Sequence, residues 1–206
     1  MTKSGDRLLT PETLGPDPMA AFTRWLEEAR VESGMTNPNA ACLSTLRGDG
    51  GPEGRMVLVK AVEERGFTFF TNYRSAKGRA LEQTPRAALT FYWDALGRQV
   101  RVRGGVTQTS PEESDAYFRT RPAGSRIGAW ASAQSERIES RELLEANAAE
   151  VQLRYPGEEI PRPPHWGGFL LRPDEIEFWQ EGRNRLHDRI LFERDEAAWR
   201  LSRLSP

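Results

Sequence analysis

The amino-acid sequence predicts a mainly β protein, an antiparallel sheet or barrel with peripheral helices. Five segments before residue 110 have the composition and the turn boundaries of strands: 40–46, 55–60, 67–72, 86–93 and 98–107. A single short helix is predicted among them, which disfavours an alternating βαβ order. Three further strands are predicted after the proline-rich stretch 161–164. The pattern therefore indicates one β domain over residues 17–206, preceded by a polar, flexible segment over residues 1–16.

Composition excludes several classes of protein. The 206 residues carry 29 basic and 30 acidic side chains, so bulk charge indicates no nucleic-acid or membrane partner. The only cysteine, Cys42, cannot form an internal disulfide and fits a reducing compartment. No apolar run approaches the about 20 residues of a membrane span, and the N-terminus lacks the apolar region of a signal peptide. We therefore expect a cytoplasmic protein.

Capping residues mark the predicted helices. Asp17, Ser75 and Ser110 each precede a segment with a helical pattern, and Ser110 begins a capping box. A fourth, amphipathic helix ends by residues 155–157 and is predicted to cover the sheet. Its apolar positions are Leu143, Leu144, Ala148 and Val151.

Two of these helices carry candidate phosphate ligands. Lys77 lies in the first turn after Ser75, where a cation is unfavourable unless an anion binds there. Tyr117 and Arg121 are four residues apart on the third helix, and Ser125 follows its end. A guanidinium and two hydroxyls suit a phosphate monoester. The alternative is that Tyr117 is an ordinary half-buried aromatic residue.

The densest group of reactive side chains lies in residues 175–192. The pattern predicts two strands around the polar turn 182–184, and the second strand begins near Arg185. Because side chains alternate along a strand, Arg185, His187 and Arg189 are predicted to line one face. Such a row is either an anion site or a solvated face whose charges pair with nearby carboxylates.

Trp179-Gln180 followed by residues 185–189, Arg-Leu-His-Asp-Arg, resembles the C-terminal signature of the pyridoxine/pyridoxamine 5′-phosphate oxidases. Further motif positions of that family occur in the same order over residues 17–206. They are residues 55–60, Thr71, Lys77, Arg98, Gln99, Tyr117, Arg121, Ser125, Gln134 and Ser135.

The resemblance implies a fold, a cofactor and a reaction. It implies an FMN-binding split β-barrel of antiparallel Greek-key type, acting as a homodimer with FMN at the subunit interface. The implied reaction oxidises pyridoxamine or pyridoxine 5′-phosphate to pyridoxal 5′-phosphate, with O2 as acceptor. It needs no metal, nucleic acid or membrane.

The resemblance also assigns residues. It implies that Lys60, Tyr117, Arg121 and Ser125 bind the substrate phosphate, and that Arg185 and His187 lie over the substrate ring as the catalytic candidates. Cofactor contacts are implied for Arg55, Met56, Val57, Leu58, Lys60, Phe70, Thr71, Ala76, Lys77, Gln99, Gln134, Ser135, Trp179 and Arg189.

Three positions depart from the family pattern. Ala76 stands where an arginine often faces the FMN phosphate, so weaker flavin affinity is expected, and Phe70 stands where tyrosine is common. Residues 1–16 lack the Arg- and Tyr-containing segment that some members fold over the substrate, which predicts a more open site. Strand parity also separates Arg55 from Lys60, which lie on opposite faces of a regular strand.

Two alternative functions remain. One is a related split-barrel flavin oxidase with a different substrate, such as an enzyme of phenazine biosynthesis. The other is a non-catalytic module that binds FMN or pyridoxal phosphate.

Overall fold

The computed structural model describes residues 8–157, 159–196 and 198–206. Its strands are β1 Ala40–Leu46, β2 Pro52–Glu63, β3 Gly66–Asn72, β4 Arg86–Trp93, β5 Arg98–Gln108, β6 Trp166–Gln180, β7 Asp188–Asp195 and β8 Ala198–Arg203. Its α-helices are α1 Pro11–Leu14, α2 Pro18–Glu32, α3 Ala76–Gln83, α4 Pro111–Thr120, α5 Ala123–Ala131 and α6 Arg141–Arg154.

The sheet closes into a six-stranded antiparallel barrel. The strands lie in the order β3-β2-β1-β4-β5-β6, and an additional pairing between β3 and β6 completes the ring. β6 is 15 residues long, so its first part pairs with β3 and its last part, residues 175–180, pairs with β7. β7 and β8 thus extend the sheet beyond the barrel. The predicted fold class is confirmed.

Aromatic side chains fill the barrel. Phe22 of α2 is fully buried, and its ring centroid lies 4.8 Å from those of both Phe67 and Phe91. α2 begins where the sequence predicts, because the Asp17 carboxylate accepts a hydrogen bond from the backbone N–H of Met19 at 2.8 Å. This helix therefore packs its apolar face into the core.

The segment before α2 differs from the expectation of a flexible terminus. Leu9 and Leu14 are only 4% and 3% exposed, and both belong to the core. The N–H of Leu9 donates to the Asp188 carboxylate at 3.0 Å, and its carbonyl accepts from Arg203 at 2.9 Å. Burial of two leucines and these long-range bonds fix residues 8–16 against the C-terminal strands; residues 1–7 lie outside the described residues.

Two helical predictions also need correction. Residues 123–131, which the sequence assigned to no helix, form α5 directly after α4. Because α5 occupies this position, α6 packs mainly against α5 instead of covering the sheet. Of the residues of α6, Val151 alone is buried.

Close backbone approach explains one glycine of the barrel. A register shift between β5 and β6 occurs at Gly104, and a Cβ atom there would lie 1.8 Å from the carbonyl oxygen of Arg172. Only glycine allows the two strands to approach in this way.

We expect Gly104→Ala to lower the free energy of unfolding by about 1–3 kcal/mol, since the strands must move apart to admit the methyl group. Gly105→Ala is the matched control, because a Cβ at residue 105 meets nothing within 4 Å. Urea unfolding of both variants measures the difference. Equal stability of the two would contradict the role of the close approach.

Candidate functional site

A cleft of about 640 Å³ opens between β2, β3, α4 and α5. Eight of the residues that the sequence assigns to a ligand line it, together with one further aromatic residue, Trp166. The eight are Leu58, Lys60, Phe70, Thr71, Tyr117, Arg121, Ser125 and Gln134. The structure therefore brings the predicted substrate-phosphate residues together.

Three parallel aromatic rings form one wall of the cleft. Phe70 stacks on Tyr117 with 4.0 Å between ring centroids, and Trp166 lies parallel to both, 5.6 Å from Phe70. Burial raises the pKa of the Tyr117 hydroxyl, and the nearby Arg121 partly opposes this effect. Tyr117 is thus half-buried, as the alternative interpretation held, and it also presents its side chain to the cleft.

Arg121 is a cation without a carboxylate partner among the described residues. It caps the C-terminus of α4, and its guanidinium carbon lies 4.6 Å from the centre of the Trp166 ring. Its Nη1 group is buried and has no hydrogen-bond partner in the described part of the chain. Burial also lowers the Arg121 pKa. A buried cationic donor without a partner is costly, which indicates that an anionic ligand completes it.

A second desolvated cation lies beneath the cleft. The Lys77 ammonium donates to Thr71 Oγ1 at 3.2 Å, to Ser75 Oγ at 3.1 Å and to Gln134 Oε1 at 3.2 Å. Burial lowers the Lys77 pKa, nearby Arg55 lowers it further, and Glu53 opposes them. Since its three acceptors are neutral, Lys77 keeps an uncompensated charge close to Thr71 and Gln134, two further predicted cofactor residues.

Lys60 and Arg55 lie on different faces of β2, as strand parity predicts. The register between β2 and β3 shifts around Lys60, and its exposed side chain lines the cleft with that of Leu58. Arg55 instead bonds Thr45 Oγ1 at 2.6 Å and forms an ion pair with Glu53. Arg55 does not line the cleft.

A separate outer-face group lies on the far part of the sheet. Gln99 of β5, Trp179 of β6 and Arg189 of β7 stand side by side in register. They point away from the barrel core, because the alternating residues Val100, Phe178 and Ile190 are fully buried. His187 packs on Trp179, with 4.7 Å between ring centroids.

The turn before β7 corrects one prediction. Arg185 and His187 do not share a strand face with Arg189, because residues 183–185 form a 3₁₀ turn and β7 begins at Asp188. Asn184 and Arg185 have left-handed φ angles of 55° and 65°. The turn exposes Arg185 and aims His187 at Trp179. His187 Nδ1 accepts from the N–H of Gly182 at 3.1 Å, so in the neutral ring the proton lies on Nε2.

Within one chain, the cleft and the outer-face group lie at opposite ends of β6. Trp166, in the cleft wall, and Trp179 are thirteen residues apart along β6. At about 3.3 Å per residue this corresponds to roughly 40 Å of strand. Among the described residues, no member of the outer-face group lines the cleft.

The other assigned residues lie outside the cleft. Ala76 is the first residue of α3, Val57 packs against the core, and Met56 is 65% exposed. Ser135 follows Gln134 with a left-handed φ of 75°. Trp166 lines the cleft and Glu177 forms an ion pair with Arg189, and neither residue was predicted for the site. Trp166 could have been found as the aromatic residue that begins a strand directly after the Pro-rich stretch, whereas nothing local marks Glu177.

A closed barrel whose sheet continues beyond it, with an aromatic cleft and two desolvated cations, places the chain in the split-barrel class. Residues 27–155 match the family model described as pyridoxamine 5′-phosphate oxidase, and residues 166–206 match the pyridoxine 5′-phosphate oxidase C-terminal dimerisation region. The chain belongs to the pyridoxine/pyridoxamine 5′-phosphate oxidase family. Because members of this family are named as oxidases, the chain is an oxidoreductase.

Curated relatives agree with this assignment. A pyridoxine/pyridoxamine 5′-phosphate oxidase of Rubrobacter xylanophilus is 54% identical over 96% of this chain and 91% of its own. One from Burkholderia cenocepacia is 57% identical over 93% of this chain and 90% of its own.

Solved structures share the fold. PhzG from Burkholderia lata, in complex with tetrahydrophenazine-1-carboxylic acid, is 33% identical with a TM-score of 0.91, over 98% of this chain and all of its own. A pyridoxamine 5′-phosphate oxidase-related, FMN-binding protein from Nostoc punctiforme is 20% identical with a TM-score of 0.72, over 97% of this chain and all of its own, which shows the fold alone. Among the described residues, no helix is long and apolar enough to span a membrane.

The lowered pKa of Lys77 predicts a pH dependence of stability. The unfolded chain keeps this proton up to about 10.5, whereas the native protein releases it at lower pH. Between these values the unfolded state binds more protons, so the free energy of unfolding rises with pH. We expect wild type to gain stability relative to Lys77→Met as the pH rises from neutral toward 10.5.

Urea unfolding of the ligand-free protein across this range measures the difference. Lys60→Met controls for the loss of one positive charge at an exposed lysine. If the difference in the free energy of unfolding between wild type and Lys77→Met stays constant or shrinks as the pH rises, Lys77 is not desolvated.

Proposed function

We propose that the protein oxidises pyridoxamine 5′-phosphate and pyridoxine 5′-phosphate to pyridoxal 5′-phosphate, with FMN as cofactor and O2 as electron acceptor. Hydrogen peroxide is released, together with ammonia from the amine. The observation that carries this proposal is the buried Nη1 group of Arg121, which has no partner among the described residues and belongs to a phosphate-sized set of donors. The cytoplasm, where a lone cysteine stays reduced, is the proposed location.

The cleft supplies what a phosphorylated pyridine needs. Arg121 and Lys60 supply charge, and the hydroxyls of Tyr117 and Ser125 add directional hydrogen bonds to phosphate oxygens. The anchor acts before chemistry, because fixing the phosphate fixes the position of the reacting carbon.

The residues also fit FMN. The three N–H groups of Lys77 are donated to neutral acceptors, so a phosphate oxygen can replace one of these acceptors, and Thr71, Gln134 and Ser135 lie beside it. We assign Arg55, Met56, Val57, Leu58, Phe70 and Ala76 to the same cofactor site. Gln99, Trp179 and Arg189 form the other side of the site. When bound, FMN accepts a hydride equivalent from the substrate and passes the electrons to O2.

This assignment requires two chains. Since the cleft and the outer-face group are roughly 40 Å apart along β6, the cleft of one subunit must meet the outer-face group of its partner. The match of residues 166–206 to a dimerisation region supports this arrangement, because that region carries Trp179, His187 and Arg189. We propose a homodimer with two composite sites.

His187 and Arg185 are the residues we place over the substrate ring. Because the Gly182 N–H occupies Nδ1 of His187, neutral His187 offers an Nε2–H donor. Its role is to orient a substrate oxygen or nitrogen by donation, not to remove a proton. Arg185 is exposed and contributes positive charge at the same turn.

A related oxidase with another substrate is the second candidate, since the fold matches that of PhzG with a TM-score of 0.91. Higher identity to the phosphate oxidases, 54–57% against 33%, favours the phosphorylated substrate. A non-catalytic FMN or pyridoxal phosphate module would bind the cofactor without reducing it.

The direct test mixes the FMN-loaded protein with pyridoxamine 5′-phosphate in the absence of oxygen. We expect the visible flavin band to bleach and to return on admission of air, with one pyridoxal 5′-phosphate formed per cycle. Unphosphorylated pyridoxamine is the matched control and should react far more slowly. Bound flavin that stays oxidised would reject the proposal and leave the second candidate or the binding module.

Subunit mixing tests the composite site. Arg121→Met damages only the cleft, and His187→Ala damages only the outer-face group. If each site takes one half from each subunit, a mixed dimer contains one site with both defects and one intact site. Equal exchange of the two inactive variants should therefore restore about a quarter of wild-type activity. No recovery, despite mixed dimers seen by native mass spectrometry, would place each site within one chain.

A further inference from the structure

A buried carboxylate lies next to the outer-face group, and no step of the proposed mechanism uses it. Glu177 is two residues before Trp179 on β6 and faces the same way, and its side chain is only 5% exposed. It forms ion pairs with Arg101 of β5 and Arg189 of β7. Glu177 therefore connects three strands on the face that carries Gln99 and Trp179.

The contacts of Arg189 are directional. Its Nε donates to one Glu177 oxygen at 2.8 Å, and its Nη2 donates to the other at 3.2 Å. Its Nη1 donates to the carbonyl of Ser205 at 2.9 Å. A guanidinium has five N–H groups in a rigid plane, so three are engaged and two remain for a ligand.

The charge of this cluster also favours a bound anion. Burial raises the Glu177 pKa, but the hydrogen bonds and charges of Arg189 and Arg101 outweigh burial, so the pKa lies below its usual range. The carboxylate is ionised at neutral pH. One negative charge between two guanidiniums leaves the cluster with a net positive charge, and the plane of Arg189 is fixed by a bidentate contact.

We propose that Glu177 is a positioning residue that holds the Arg189 guanidinium in the orientation that receives FMN. This inference rests on the proposed function, which places Arg189 against the cofactor. Glu177 contacts neither substrate nor flavin in this proposal. Its effect passes entirely through Arg189, and Arg101 holds the carboxylate from the opposite strand.

The chain offers a matched control for Glu177. Glu175 is two residues earlier on β6 and pairs with Arg103 of β5, as Glu177 pairs with Arg101. Glu175 has no ion pair with Arg189 among the described residues. Glu177→Gln and Glu175→Gln thus remove one carboxylate each from equivalent cross-strand positions, and only the first loosens Arg189.

The first measurement is the dissociation constant of FMN, from quenching of flavin fluorescence on titration with the flavin-free dimer. We expect Glu177→Gln to weaken binding about tenfold, the lower end of the loss seen when a partner that orients a ligand-binding group is removed. Glu175→Gln should bind FMN as wild type does. An unchanged dissociation constant for Glu177→Gln, or equal weakening in both variants, would overturn the proposal.

A double-mutant cycle separates positioning from general stability. In the Arg189→Met background, Glu177→Gln should weaken FMN binding no further, because the group it orients is already gone. A second, independent loss of the same size would show that Glu177 acts by another route. Thermal unfolding of each flavin-free variant checks that the dimers stay folded.

A readout without FMN keeps the inference separate from the proposed function. The Nε–H of Arg189 should give a protected signal in nitrogen-15 spectra of the flavin-free protein, and Glu177→Gln should shift it and speed its exchange with water. An unaltered signal would overturn the positioning role even if FMN binds. Failure of wild type to bind FMN would reject the proposed function, while this signal still tests the positioning of Arg189.

Discussion

One strand edge organises the molecule. The first part of β6 pairs with β3 and closes the barrel, and the last part of the same edge pairs with β7. Closure satisfies the backbone groups of β3, which would otherwise form an open edge. Because β6 continues past the barrel, it carries Trp166 at one end and Trp179 at the other. The separation of the cleft from the outer-face group is therefore a consequence of the strand that completes the core.

The same pairing sets the shape of the cleft. Gly168 of β6 pairs with Phe70 of β3, and a Cβ atom at Gly168 would lie 2.8 Å from the Phe70 ring and 2.5 Å from Thr109 Oγ1. The absence of a side chain at this position lets the Phe70 ring lie parallel to those of Tyr117 and Trp166. The helix end that carries Arg121 then reaches the Trp166 ring. Barrel closure, aromatic stacking and cation placement thus depend on one close approach.

Local signals in the sequence were sufficient to predict most of the helices and strands. The N-caps Asp17, Ser75 and Ser110 act as predicted, since each accepts a backbone N–H of its own helix. Predictions were wrong for the buried Leu9 and Leu14, which tertiary contacts fix, and for the left-handed Arg185, which extends the turn so that β7 begins only at Asp188. Local patterns indicated Lys77, the set of Tyr117, Arg121 and Ser125, and the row from Arg185 to Arg189 as candidate anion ligands. The other site residues came from family resemblance, because no local pattern brings Thr71 and Gln134 to Lys77.

The cations of the outer-face group pair with a carboxylate, whereas, among the described residues, those of the cleft do not. This difference fits two opposite sides of one proposed site. On the outer face, Arg101 and Arg189 share a buried carboxylate, so one of their two positive charges is compensated before any ligand arrives. In the cleft, burial lowers the pKa of both Arg121 and Lys77, and neither has an acidic partner in the described chain. Desolvating these cations destabilises the ligand-free protein, whereas an anion in the cleft reverses that penalty. In the proposed function, affinity for a phosphate group therefore comes from positions where desolvation of a cation destabilises the ligand-free protein.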